Sequence, residues 1–170
     1  MHNVDWGLEG IMLETLAEAA HEIFCENRRH DGWTFDPTRN DKEKKHPLLV
    51  PYAQLPEHYK ESNRSTVRRI PTKLAAAGCC IISSTTESTP PEFSADEIEK
   101  LAQLEHEMWM VDKLASGFSS GTPTPEEPLK NPYLVKWENL PRQVQDIDRD
   151  LVRSIPIILH KAGFAFQRYI

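Results

Sequence analysis

The sequence predicts a mainly α-helical protein with minor β content, built from two copies of one unit packed as a compact domain about an approximate twofold axis. Three observations carry this. Sliding the chain by 85 positions superposes residues 14–85 on 99–170 without a gap, and about 20 of the roughly 72 pairs are identical, against about 6% by chance. Apolar residues recur at helical spacing at the start of each copy, and each copy ends in a short apolar run.

In chain order, the first element is an amphipathic helix carrying Leu13, Leu16, Ala17, Ala20, Ile23 and Phe24, matched in the second copy by Ile98, Leu101, Leu104, Met108 and Trp109. Ser94, three residues before Glu97, reads as a capping box that starts the second of these helices. Gly32 and Gly117 stand where the two helices stop, supplying the left-handed residue that a helix C-terminus needs. Polar loops of about 12 residues follow, ending in Lys45-His46-Pro47 and Lys130-Asn131-Pro132; they are longer than connectors need to be and are candidates for function. A further helix is expected over 63–77 and over 148–162, closed by Gly78 and Gly163, with Pro71 and Pro156 kinking or splitting it. The runs 79–83 and 164–169 read as short strands. A Ser, Thr and Pro-rich stretch over 83–91 marks the join, giving a leader 1–11, a first repeat 12–85, a linker 86–96 and a second repeat 97–170.

Composition narrows the function classes. With 20 Lys and Arg against 26 Asp and Glu, the formal charge is −6, which disfavours a general surface for duplex nucleic acid, whose affinity comes from neutralising phosphates. The mean hydropathy of −0.55 and the lack of a long apolar run predict no membrane association, and the first residues lack a secretory plan, so a cytoplasmic location is expected. Cys25, Cys79 and Cys80 lack the spacing of a disulfide framework or a zinc site and read as small buried hydrophobes. There is no phosphate loop, dinucleotide fingerprint, H-E-x-x-H or nucleophile elbow, and the seven glycines are mostly spent on helix ends. No cofactor and no metal are expected, and catalysis by His21 or His106 is the weaker hypothesis because no nucleophile is placed beside them.

The repeated pairs His21/Phe24 and His106/Trp109 are three residues apart, so each projects from one helix face. An aromatic and an imidazole from each copy can sandwich a flat ring, and stacking a base on an aromatic is worth about 1–3 kcal/mol. Plain core packing of the aromatics, and a hydrogen bond from each histidine to a nearby carbonyl, fit the same pattern. Positive charge concentrates in the first copy, at Arg28, Arg29, Arg39, Lys42, Lys44 and Lys45, so phosphate recognition is expected to lean on that side. Both copies keep Arg64 and Arg149.

The combined motifs resemble one known family. His21-Glu22-Ile23-Phe24, Gly32-Trp33-Thr34-Phe35, Arg39-Asn40-Asp41, Lys45-His46-Pro47-Leu48-Leu49-Val50-Pro51-Tyr52, Leu55-Pro56, Asn63-Arg64 and Ala77-Gly78 are similar to the RyR domain, a repeat named in ryanodine receptors and found in small bacterial proteins. The second copy, with His106-Glu107-Met108-Trp109, Gly117-Phe118, Lys130-Asn131-Pro132-Tyr133-Leu134-Val135 and Leu140-Pro141, resembles the partner repeat. Phe24 replaces the commoner Trp, and the second loop lacks the Arg-Asn-Asp pattern.

The resemblance implies a pseudo-symmetric pair of repeats and a non-enzymatic module that binds an adenine nucleotide, or a nucleotide second messenger such as a cyclic nucleotide or an ADP-ribose derivative, between them. Bacterial members are linked to sensing such signals in antiviral defence. The implied ligand-binding residues are His21, Phe24, Trp33, Arg39, Lys45, His46 and Arg64 in the first repeat and His106, Trp109, Phe118, Asn131 and Arg149 in the second. With no channel, enzyme or NAD-binding domain attached, such a protein is expected to pass its signal to a separate effector protein or to sequester the ligand, and homo-oligomers are compatible with either. A protein-interaction scaffold whose cleft is filled by its own side chains is the alternative, with an enzyme degrading a nucleotide signal behind it.

Overall fold

A computed structural model describes residues 10–84 and 89–169. The elements are α1 (Ile11–His30), β1 (Thr34–Phe35), β2 (Lys45–His46), α2 (Glu57–Arg68), α3 (Ile70–Ala76) and β3 (Cys79–Ser83), then α4 (Ala95–Ala115), β4 (Ser119–Ser120), β5 (Lys130–Asn131), α5 (Arg142–Lys161) and β6 (Phe164–Arg168). A single 3-10 turn precedes α2 and α5, at Tyr52–Gln54 and Trp137–Asn139. The fold is mainly α with minor β, and the two halves carry the same order of elements.

The local signals act as the residue types require. Ser94 accepts from the Glu97 backbone while Glu97 reaches back to the Ser94 N–H, so α4 starts on a complete capping box. Gly32 and Gly117 sit at φ +88 and +87, and the next residues, Trp33 and Phe118, donate their N–H to Arg28 and Lys113 at 2.9 and 3.0 Å, closing α1 and α4 alike. Within the long loops, β1 pairs with β2 and β4 with β5, each a parallel ladder of two residues that is too short to leave a periodic signal.

Two expectations need correction. The later helices start at Glu57 and Arg142, six residues before the 63 and 148 expected, because Pro56 and Pro141 occupy the N-cap. A proline there sacrifices only an N–H that has no helical partner. The chain then breaks after Arg68 in the first repeat and restarts at Ile70 with Pro71 in the first turn, whereas α5 runs through Pro156 unbroken. Ser83 belongs to β3 rather than to a linker; residues 85–88 of that linker, and 1–9 of the leader, lie outside the described residues.

The symmetry can be read from the register of one sheet. β3 and β6 pair antiparallel from Cys79 with Arg168 to Ser83 with Phe164, and the central pair is Ile81 with Phe166. These two are equivalent under the 85-residue duplication, so the twofold axis passes through that pair. The flanking bonds obey it too: Ser84 donates to the Gly163 carbonyl at 3.1 Å, and Tyr169 to the Gly78 carbonyl at 2.7 Å.

The core follows the same rule. Leu16, Ala17, Val67, Ile70 and Leu74 are buried, and so are their identical counterparts Leu101, Ala102, Val152, Ile155 and Leu159. Within each repeat α1 packs on α2 and α4 on α5; across the seam α1 packs on α5 and α4 on α3. The repeats therefore share one hydrophobic cluster, to which Phe93 adds a ring stacked on Phe166 at 4.6 Å. Of the cysteines, Cys25 and Cys79 are buried and Cys80 is half-buried, and all three are free thiols. Among the described residues no helix is long and apolar enough to cross a membrane.

Candidate functional site

The duplicated histidines are first of all structural. His21 Nε2 meets the Val50 carbonyl at 2.7 Å, and His106 Nε2 meets the Val135 carbonyl at the same distance. A carbonyl only accepts, so each Nε2 carries the proton and donates, tying the first helix of its repeat to the end of the long loop. His21 lies against Phe24 with centroids 6.0 Å apart, and His106 against Trp109 at 5.6 Å. Tyr52 and Trp137 tilt over the two imidazoles at 6.3 and 6.1 Å.

The retained arginines also lie in matched structural pairs. Arg64 donates to Glu14 through Nε and Nη2, and Arg149 donates to Glu99 through the same atoms at 2.8 and 3.0 Å. Each fork holds its carboxyl below the usual range and braces the first helix against the second. Arg64 also meets Glu57 and Glu61, and Arg149 meets Asp146. Both guanidinium groups are thus committed to carboxylates.

The long loop of the first repeat builds an aromatic and cationic cluster beside Phe24. Buried His46 lies edge-on to Phe24 at 5.6 Å and to Trp33 at 5.8 Å. Arg28, one turn after Phe24 on α1, places its guanidinium carbon 5.5 Å from the Phe24 centroid and 5.0 Å from that of Trp33. Burial, then Arg39 and Arg28, lower the pKa of His46, whose Nδ1 accepts from the Leu48 N–H at 3.1 Å; the ring is a neutral imidazole in a positive field. Arg39 is exposed and paired with Asp41 at 2.7 Å, and Lys45 donates to the Thr34 hydroxyl at 2.8 Å. The second repeat keeps the plan with different residues: Lys113 lies 4.6 Å over Phe118, and Asn131 takes the place of His46, its side-chain oxygen accepting from the Tyr133 N–H.

Phe24 and His21 open on a cavity of about 360 Å³ between α1, α2 and α5. Its polar wall includes Asn27, Tyr59, Asn63 and Ser154, its apolar wall Leu48 and Ile158, and both Thr66 and its duplicate Leu151 line it, which carries the cavity to the seam between the repeats. Trp109 is not one of its lining residues. The structure thus brings together His21, Phe24, Trp33, Arg39 and His46 of the expected set; in the other repeat it sets His106 against Trp109, Phe118 under Lys113 and Asn131 against the Tyr133 N–H.

The counterpart of this cavity across the axis is occupied. The duplication maps Ala20, Asn27, Asn63, Ser154 and Ile158 onto Glu105, Asp112, Asp148, Arg69 and Lys73. Lys73 donates to Glu105 at 2.8 Å with side chains only 1% and 3% exposed, and Arg69 bridges Glu105 at 3.0 Å and Asp112. Burial pulls the Lys73 ammonium below its ordinary value against the opposing charge of Glu105. Asp148 Oδ2 lies 3.9 Å from His106 Nδ1, and burial with the repulsion of Glu105 pushes its carboxyl up to about 6. Sequence reading missed this network because no local pattern marks a lysine on an apolar helix face; aligning Lys73 with Ile158 and Glu105 with Ala20 is the signal that finds it. Arg28 was visible only as one charge among several.

Among the described residues no group of three His, Cys, Asp or Glu side chains is placed to hold a metal ion. The profile of the RyR domain matches residues 3–83 and again 85–168. With the same elements, the same histidine and arginine locks and a symmetric sheet in both halves, the chain belongs to the RyR domain family as a tandem pair of repeats.

Proposed function

We propose that this protein is a non-enzymatic nucleotide-binding module, which senses or sequesters an adenine nucleotide or a nucleotide second messenger at the seam between its repeats. The observation that carries the reading is the half-buried Phe24 on the wall of a 360 Å³ cavity, with Arg28 and Arg39 just outside it. The base stacks on Phe24, with Asn63, Asn27 and Ser154 in reach of its edge, and the phosphates turn towards Arg28 and Arg39 beside His46. Trp109, stacked on His106, holds the equivalent place in the other repeat, outside this cavity. Arg64 and Arg149 support the site by bracing the helices rather than by touching phosphate.

The test is a thermal-shift panel of ATP, ADP, NAD, ADP-ribose, cyclic ADP-ribose and cyclic mono- and dinucleotides, run on the wild type, Phe24→Ala, Trp109→Ala and Arg28→Ala. Ligand at 100 times its Kd stabilises by about 2.7 kcal/mol. Losing one stacking face weakens binding about 5- to 150-fold, the equivalent of about 1–3 kcal/mol. A panel that leaves the melting temperature unmoved refutes the reading. It favours instead a protein-interaction scaffold, which the filled counterpart cleft at Lys73 and Glu105 supports.

A further inference from the structure

The charge cluster on the second-repeat side of the seam is one proton short of balance. Repeat 1 supplies two cations, Arg69 and Lys73, while repeat 2 supplies three carboxylates, the enclosed Glu105 and Asp148 and, at the outer edge on Arg69, the exposed Asp112. His106 stands beside Asp148, and its tautomer is fixed because Nε2 donates to the Val135 carbonyl. In the neutral ring Nδ1 is therefore the acceptor, and it faces Asp148 Oδ2 at 3.9 Å, beyond hydrogen-bond distance.

We propose that His106 and Asp148 form a proton-binding couple, which takes up one shared proton from solvent and, by neutralising the cluster, tightens the hold of repeat 1 on repeat 2. The proton forms one O–H or N–H bond within the couple, turns the repulsive contact into a hydrogen bond, and brings two cations into balance with two remaining carboxylates. The groups facing Asp148 are Arg69 and Lys73 from the α3 side and Glu105 and His106 from α4, with the exposed Asp112 reached only through Arg69. α1 meets α5 through Glu22 and Glu26 at Lys161, about 20 Å along the helix from Asp148, and leaves the couple alone. Burial and the neighbouring Glu105 raise the Asp148 carboxyl, while His106, Lys73 and Arg69 pull it the other way. The first repeat lacks the device, because Asn63 stands at the position of Asp148 and donates to the Tyr59 carbonyl.

The experiment is an NMR titration of the full chain between pH 4.5 and 8, following the Asp148 carboxyl carbon and the His106 ring nitrogens, with Asp148→Asn alongside. That substitution copies the residue the first repeat already uses, and the wild-type titration needs no variant. The expected result is a single step near pH 6 seen at both side chains, with Nε2 protonated throughout, and a wild-type melting temperature that rises from pH 7.5 to 5.5 relative to the variant. An Asp148 carbon that titrates near 4, in the ordinary carboxylate range, overturns the proposal. So does a His106 ring that does not respond in the same step, or a melting difference that is flat with pH.

Discussion

Replacing Lys73 with the residue that the other repeat carries at the same place, Ile158, tests whether the seam is held by charge or by shape. In Lys73→Ile the Glu105 carboxylate remains 97% enclosed and keeps only Arg69, at 3.0 Å on its other oxygen. Stranding one half of a buried pair costs about 3–5 kcal/mol, and the surviving Arg69 contact places this variant near the lower figure, about 3 kcal/mol. Adding Glu105→Ala, the counterpart of Ala20, removes the stranded charge and leaves Arg69 with Asp112. The double variant should then recover to within about 1 kcal/mol of the wild type, because buried pairs replaced by packed apolar groups are commonly neutral or stabilising. Urea denaturation of the wild type, both single variants and the double variant at pH 7.5 closes the cycle. Single-variant losses below about 0.5 kcal/mol, or a double variant as unstable as the sum of the two, would refute the picture of a desolvated, mutually dependent pair.

Asp148→Asn should stabilise the protein at pH 7.5 by up to about 3 kcal/mol and not below pH 4. The sign follows from linkage: a raised folded-state carboxyl holds its proton more tightly than the unfolded chain between about pH 4 and about 6, so wild-type stability falls as pH rises through that window and is level above it. Glu14 and Glu99, held low by their arginines, act in the opposite sense and only in acid, and they cancel in the comparison. His21→Leu and His106→Leu should each cost about 1–3 kcal/mol, read from urea midpoints, because each leaves a loop carbonyl without its donor. Gly32→Ala should cost about 1 kcal/mol in the same assay, since the site needs φ +88 and only the flexible end of Lys44 is near.

Much of this fold is legible in the sequence because the duplication supplies its own control. Identical pairs such as Leu16 with Leu101 and Val67 with Val152 became the core, and the glycine and capping signals fell on the helix ends that they predicted. The helices begin six residues before the expected 63 and 148 because Pro56 and Pro141 sit at their N-caps, where a proline is tolerated. The two-residue ladders in the loops lie below the length at which alternation can be seen. At the site, spacing placed His21 with Phe24 and His106 with Trp109, but it could not tell that Arg64 would meet Glu14, fifty residues away, and not a ligand. Long-range partners of charged side chains are set by packing and leave no local trace.

The same control separates scaffold from specificity. Where both repeats need the same contact, the residues stayed equal: His to loop carbonyl, Arg to Glu, glycine at the helix end. At several positions where the repeats face one another across the axis they differ, since a buried ion pair has no twofold symmetry of its own. Asn63 against Asp148 and Ile158 against Lys73 lie at the seam, and Phe24, where the second repeat has Trp109, opens on the cavity there. One side became a neutral cavity walled by an aromatic ring, and the other closed on its own ions. A strictly symmetric pair would carry either two such cavities or two filled clefts. The divergence of these few positions is therefore what leaves a duplicated chain with one such cavity open and its counterpart filled, and substitutions that restore symmetry there, such as Lys73→Ile with Glu105→Ala, are the ones that can open the second.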